Sequence, residues 1–210
     1  MTRFNWSGLG VAAVVAATAS LLTCHIADGG RQFSPVHNWL SEFVLSNNPY
    51  VEFPMRAAFV FIGLAAFSVA MLSRDRLIIV LFLVSAVGLV LMMPNDTDPN
   101  DGRHYDFHWP LTPGNVHQIC LTVAIGATII GMALATFWRE KASASRYMFE
   151  AALLAVLILA TVIQFIVVLQ GYRNFAPVQY GGFTERVIVL ATFGWVISYC
   201  SRAKSPLARE

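Results

Sequence analysis

The sequence predicts an all-α polytopic membrane protein: a single domain over residues 1–210, built as a bundle of six transmembrane helices with both termini cytoplasmic. Three observations predict it. Only 12% of the residues are charged and 57% are hydrophobic, whereas soluble domains carry roughly 25% charged residues. Six apolar runs, at about 7–26, 55–73, 76–94, 115–138, 147–170 and 183–200, take up nearly the whole chain. Each is long enough to cross a hydrocarbon core of about 30 Å, which needs about 20 helical residues. The positive charges are also uneven. With the N-terminus inside, Arg3, Arg74, Arg76, Arg139, Lys141, Arg146, Arg202, Lys204 and Arg209 face the cytoplasm, while Arg31, Arg56, Arg103, Arg173 and Arg186 face away. Nine against five sets that orientation, because Lys and Arg are retained on the cytoplasmic side.

The first run has Arg3, an apolar core and "ATAS" (17–20), the outline of a secretory signal. Gly8, Ala12, Ala16 and Ser20 oppose cleavage: they form an every-fourth-residue small face, which lets helix backbones approach closely in lipid. The run is therefore expected to be kept. In the connection after it, "HNWLSEFVL" (37–45) is expected to make a short interfacial helix opened by Ser34 and Pro35, with Trp39, Leu40 and Phe43 on the membrane and Glu42 turned away. Asn47, Asn48 and Pro49 mark a turn, and Pro54 is expected in the first turn of the second span. "SRDR" (73–76) makes a tight inside turn before the third span.

The fourth span opens at "LTPGNVHQ" (111–118), with Thr112 as cap, Pro113 first and His117 about one turn in. Ala127, Gly131 and Ala135 repeat the small-residue spacing within it. "WREKASASR" (138–146) is the second inside loop, and Gln164 in the fifth span is expected to bond a neighbouring helix. At "YGGFTER" (180–186) Thr184 is the expected cap of the sixth span. Glu185 suits the positive end of that helix dipole, whereas Arg186 needs a partner carboxylate or a lipid phosphate.

In this orientation all five histidines, His25, His37, His104, His108 and His117, lie on the extracytoplasmic side, with Asp96, Asp98, Asp101 and Asp106 in the second outer connection. Glu42, Glu52, Arg56, Glu185 and Arg186 join them there. Whatever the protein does is therefore expected at that face. Ordinary loop polarity accounts for Asp101 and Arg103, while His117 and Arg186 sit at helix ends, where polar groups tend to face the bundle.

Metal chemistry stays open at three places. "HYDFH" (104–108) has imidazoles and a carboxylate at a spacing that also fits a loop surface. "NDTDPNDG" (95–102) has the alternating oxygens of a calcium loop but lacks the glycine and glutamate in register. "CH" (24–25) and "HQIC" (117–120) bring Cys24 and Cys120 near His25 and His117, where buried cysteines more often fill apolar space. Of the three cysteines, Cys200 lies at the inner end, so at most Cys24 and Cys120 could pair. A P-loop, a nucleophile elbow and an inner-leaflet haem site have no supporting residues. The net charge of +2 is too small to imply nucleic acid.

Five short motifs, in order, resemble a large family of six-helix bacterial and archaeal membrane proteins known as domain of unknown function nine-nine-eight. They are "HNWLSEF" (37–43), "MRAAFVFIGLAAF" (55–67), "MPNDTDP" (93–99), "NVHQ" (115–118) and "FTERVIVL" (183–190). The resemblance spans nearly the whole chain. It implies functional roles for Ser41, Asp96 or Asp98, His117, Glu185 and Arg186, and a place in the cell (inner) membrane. The second outer connection is longer and richer in histidine than the family pattern, so His104 and His108 are not carried over.

Two functions carry equal weight. One is an enzyme acting on a lipid or lipid-linked substrate. His117, Asp98, Asp96 and Glu185 would be catalytic, and Arg186, Arg56, Ser41, Glu42 and His37 would bind the substrate. Its cofactor is unknown, a divalent metal such as zinc or calcium on His117 and Asp98 being the expectation. The other is a non-catalytic lipid-binding, sensor or assembly subunit, in which the same charges are clamps. A small-solute transporter comes third. Membrane lipids are the expected partners, with a second copy or a membrane-complex subunit beside them.

Overall fold

The computed structural model describes residues 4–97, 111–139, 143–174 and 180–202. Among these no strand occurs, and six α-helices form: α1 (Trp6–Asp28), α2 (Pro49–Leu72), α3 (Arg76–Leu91), α4 (Pro113–Ala133), α5 (Ala144–Asn174) and α6 (Gly181–Arg202). A short 3-10 helix, Leu40–Leu45, interrupts the first connection, and a π-helix, Leu134–Arg139, prolongs α4. Five helices are long and apolar enough to cross a membrane, with α4 counted through Trp138. The chain is thus a multi-pass membrane protein. α3 is equally apolar but has 16 residues, about 24 Å of helix, and ends three residues before the expected 94.

Side-chain caps fix most helix starts. The Asn5, Asn48, Asp75 and Thr112 side chains accept from Gly8, Tyr50, Leu77 and Asn115 amides at 2.9, 3.0, 2.9 and 3.1 Å, each satisfying an orphan donor of a first turn. Asn48 with Pro49 starts α2 six residues before the expected 55, which leaves Pro54 inside the helix. α6 starts at Gly181, so Thr184 is not its cap: its hydroxyl donates to the Gln164 side chain on α5. That is the helix-to-helix bond expected of Gln164.

The helices close into a ring in chain order, α1–α2–α3–α4, then α5–α6–α1, with α2 and α6 also meeting across the middle. The junction of α4 with α5 is sparse. α1 turns Ser7, Gly10, Ala13, Val14 and Ala17 inward. The expected face of Gly8, Ala12, Ala16 and Ser20 is therefore not the buried one, and Ala12 is exposed. At Gly10 a Cβ would lie 2.6 Å from the Cys200 sulfur and 3.1 Å from Ser68, so this glycine sets how closely α1, α2 and α6 approach. On α4 the small face is where it was expected, with Ala127, Gly131 and Ala135 buried.

We call the end of the bundle that carries the first connection the crown and the other end the base. The base is held by aromatic stacking and a buried ion pair. Trp195 stacks on Phe82 and Tyr199 at 5.7 and 5.0 Å between centroids, and its indole donates to Thr136 in the π-helix at 3.0 Å. The Arg202 guanidinium lies 4.4 Å over the Tyr199 ring and 3.6 Å from the carboxylate of Glu150. Glu150 is fully buried and also accepts from Ser198 at 2.9 Å. α5 begins early enough, at Ala144, to carry Glu150 beneath its neighbours.

Removing one member of a buried pair strands the other charge, which costs roughly 3–5 kcal/mol, while replacing both by apolar groups is far milder. Arg202→Met is expected to lower unfolding stability by about that amount, and the double variant Glu150→Met with Arg202→Met by much less. Reversible unfolding in mixed micelles reads the difference; equal losses would mean the pair is not coupled.

Candidate functional site

The crown begins where α1 stops. Gly29, at φ 59°, ends the helix in the left-handed region, where glycine carries no Cβ penalty. The Asp28 carboxylate then accepts the Gln32 and Phe33 amides, both at 3.2 Å, and turns the chain back over the bundle. Asn38 accepts from the Ser34 amide at 2.8 Å, and Glu42 accepts from the Trp39 amide at 2.7 Å and the Asn38 side chain at 3.1 Å. The segment does not lie on a membrane surface as expected. Trp39, Leu40, Phe43 and Glu42 are all buried, with Phe43 edge-on to His25 and Phe33 at 4.9 and 5.1 Å. Buried peptide groups need partners, and here side chains supply them.

The first turn of α6 holds this segment down. The Glu185 carboxylate, itself buried, accepts from the Leu40 amide at 2.5 Å and also engages the Ser41 amide. Arg186 donates to His25 Nε2 at 3.3 Å, to the Asn38 carbonyl at 3.2 Å and to the Gly182 carbonyl at 2.7 Å. To accept that bond, His25 must be neutral, with its proton on Nδ1 and none on Nε2. Carbonyls and an imidazole thus offset the unfavourable place of Arg186 at a positive helix end. Gly182 has no room for a side chain, since a Cβ there would fall on the Asn38 carbonyl. The Phe183 amide donates to Val36 at 3.1 Å. His37 is exposed and lies 5.5 Å from the Tyr180 ring.

A second cluster pins the exit of α3. Arg56 on α2 pairs with Glu52 at 2.9 Å and Asp96 at 2.6 Å, and donates to the Met93 carbonyl at 2.5 Å. His117 on α4 is fully buried, with Nδ1 2.8 Å from the Asn95 carbonyl and its ring edge-on to Phe59. Asp96 and His117 therefore flank the same short exit through different partners. Asp98, Asp101, Asp106, His104 and His108 lie outside the described residues. Among the described residues no group of three His, Cys, Asp or Glu side chains is placed to hold a metal ion. Cys24, Cys120 and Cys200 are not joined in a disulfide with one another, and Cys24 donates to the Val51 carbonyl at 3.3 Å.

Below the crown, the sparse α4–α5 junction opens into a cleft of ≈ 660 Å³, within the size range of small-molecule sites. Asn115, Gln118 and Thr122 on α4 face Thr161 and Gln164 on α5 across it, with Glu185 at the inner wall. Exposed Val123 and Phe165 are also in its walls, so it opens on the outside of the bundle. Behind it is a cavity of ≈ 80 Å³ at the centre of the bundle, apolar except for Ser41, Thr128, Thr192 and Glu185. The two voids share Leu121, Ile125 and Glu185. Ser41 is 1% exposed and its Oγ has no hydrogen-bond partner; the buried Nε2 of Gln118 likewise has none.

Glu185 and Ser41 thus come together at one place, Arg186, Glu42 and His37 surround the first connection, and Arg56, Asp96 and His117 gather at the α3 exit. Sequence reasoning missed Gln118, Thr122 and Thr161. Their signal is present: residues 115, 118 and 122 are spaced to share one face of an otherwise apolar helix, as are 161 and 164.

The family described as "Protein of unknown function (DUF998)" has a sequence model that matches residues 11–202. No curated protein and no solved structure matches the chain.

Hydrogen bonds to a charged acceptor contribute roughly 1.5–3 kcal/mol. Glu185→Ala is expected to cost about that much, and to speed amide exchange at Leu40 and Ser41. Glu185→Gln, which keeps an acceptor oxygen, is expected to recover part of both. Exchange mass spectrometry across 29–48 measures it; unaltered protection in Glu185→Ala would show that the carboxylate does not hold the segment.

Proposed function

The chain belongs to the DUF998 family of unknown function, and from that premise we propose that it is a non-catalytic lipid-binding membrane protein whose α4–α5 cleft takes up an amphiphile from the bilayer. The cleft itself carries this reading: it opens among lipid-exposed side chains and gathers its polar groups toward the crown. From Asn115 to Ile129 its α4 wall spans fifteen residues, about 21 Å of helix. A single leaflet's hydrocarbon is about 15 Å thick, half of the bilayer core. The void therefore matches one lipid tail with its head among Asn115, Gln118 and Trp39.

The catalytic residues of the enzyme reading are engaged elsewhere: His117 with the Asn95 carbonyl, Asp96 with Arg56, and Glu185 with the Leu40 amide. They support clamping more directly than turnover. In the proposed arrangement α3 is a short sixth span, both termini are cytoplasmic, and the crown faces out of the cell (inner) membrane. The excess of Lys and Arg on the base side supports this.

The test uses Gly126, which lines the cleft and where an added Cβ meets nothing within 4 Å. Gly126→Phe puts a plug in the void without a clash at its own Cβ. A helical glycine costs roughly 0.8–1 kcal/mol against alanine, so the delipidated variant should be at least as stable as the parent. Native mass spectrometry should find about one retained lipid per parent chain and almost none on the plugged variant. Equal retention on both would remove the cleft as the binding site.

A further inference from the structure

The reading above names a place; the void behind it names the head group. Ser41 sits in that cavity with a buried hydroxyl that nothing satisfies. Glu185 lines both voids, presenting a carboxylate. Gln118 contributes a buried side-chain nitrogen without an acceptor on the cleft side. A buried polar group without a partner is costly, so two such groups, Ser41 in the inner cavity and Gln118 in the cleft, on either side of the Glu185 carboxylate that lines both, point to a missing molecule that satisfies them.

Their chemistry is complementary. Gln118 Nε2 only donates, the Glu185 carboxylate only accepts, and the Ser41 hydroxyl does either. A hydroxyl suits all three, with one proton to donate to Glu185 and two lone pairs to accept from Gln118 and Ser41. An ammonium has no lone pair for Gln118. A phosphate would meet the Glu185 carboxylate in voids that no Lys, Arg or His lines among the described residues. Arg186, the nearest cation in sequence, is turned to His25 and to the carbonyls of Asn38 and Gly182. Size agrees. The inner cavity of ≈ 80 Å³ has room for a small polar head, one water needing about 10–15 Å³ on that measure.

We propose that Ser41, Glu185 and Gln118 form a head-group site selecting an uncharged, hydroxyl-bearing single-chain amphiphile, of the class of a monoacylglycerol or long-chain alcohol. The chain lies in the α4–α5 cleft, and the hydroxyl end turns inward past Leu121 and Ile125. This rests on the lipid-binding reading of the cleft.

The full chain in detergent is offered three probes with tails of matched length and unsaturation: monooleoylglycerol, oleylamine and oleoyl lysophosphatidic acid. Monooleoylglycerol is expected to bind at least about tenfold tighter than the phosphate, because a buried anion beside a carboxylate is unpaired. Ser41→Ala should weaken monooleoylglycerol roughly three- to tenfold, the worth of one neutral hydrogen bond, without changing affinity for the phosphate. The same variant should match or exceed the parent's thermal stability when no ligand is present, because the hydroxyl it removes has no partner in the fold. Equal affinity for the three probes, or a Ser41→Ala variant that binds monooleoylglycerol like the parent, would overturn the head-group site and leave the cleft standing. Oleylamine preferred over monooleoylglycerol would overturn it too. Absence of binding by all three probes, together with no lipid retained by the parent chain, would overturn both.

Discussion

The carboxylate of Glu185 is the constraint on which the rest of the crown depends. The first connection buries Leu40, Ser41 and Phe43 against the bundle, and buried peptide amides must be paired. No sheet or continuing α-helix is available there to pair them. One side chain from the start of α6 supplies the acceptor, and the neighbouring Arg186 ties the same segment to the end of α1 through Asn38 and His25. The first and last helices and the connection are thereby fixed together at one point. The cavity beneath inherits a carboxylate wall from that bond.

The cleft has an equally local cause. Lipid tails are as apolar as leucine, so helices in a bilayer associate through close packing and polar contacts. α1 meets its neighbours at Gly10 and Ala17, and α3 meets α4 through the Ser85–Thr128 bond of 2.7 Å. The crown half of α5, "TVIQFIVVLQ" (161–170), has no Gly, Ala or Ser. It bonds to α6 through Gln164, and it cannot approach α4 as closely as a small-residue face would. Only 17% of the apolar window of α5 is buried against 50% for α2, which leaves α5 attached on one side and open on the other.

The two ends of the bundle use charge differently. At the crown, Glu185, Glu42, Asp28 and Arg186 bond mainly to main-chain groups, so they shape a connection. At the base, Glu150 and Arg202 face one another over an aromatic stack. The first arrangement surrounds space that a ligand can fill. The second closes space, with the rings of Phe82, Trp195 and Tyr199 stacked at the base.

The sequence by itself determined that the chain is helical and membrane-embedded, where most helices begin, and that titratable groups collect around the crown. Length, composition and caps are local properties, and a bilayer leaves few ways to use long apolar runs. It also marked Ser41, Glu185 and Arg186 through motif order, and Gln164 through its depth. Only the tertiary structure decided which side of α1 is buried, how deep Glu150 lies, that the Trp39 segment tucks inward, and that a cleft opens between α4 and α5. The physical reason is that a helix surrounded by lipid is apolar on every side, so its sequence carries little information about rotation about its own axis. That rotation is set by contacts between residues far apart in the chain, such as Gly10 with Cys200 and Leu40 with Glu185, and these exist only once the bundle has closed.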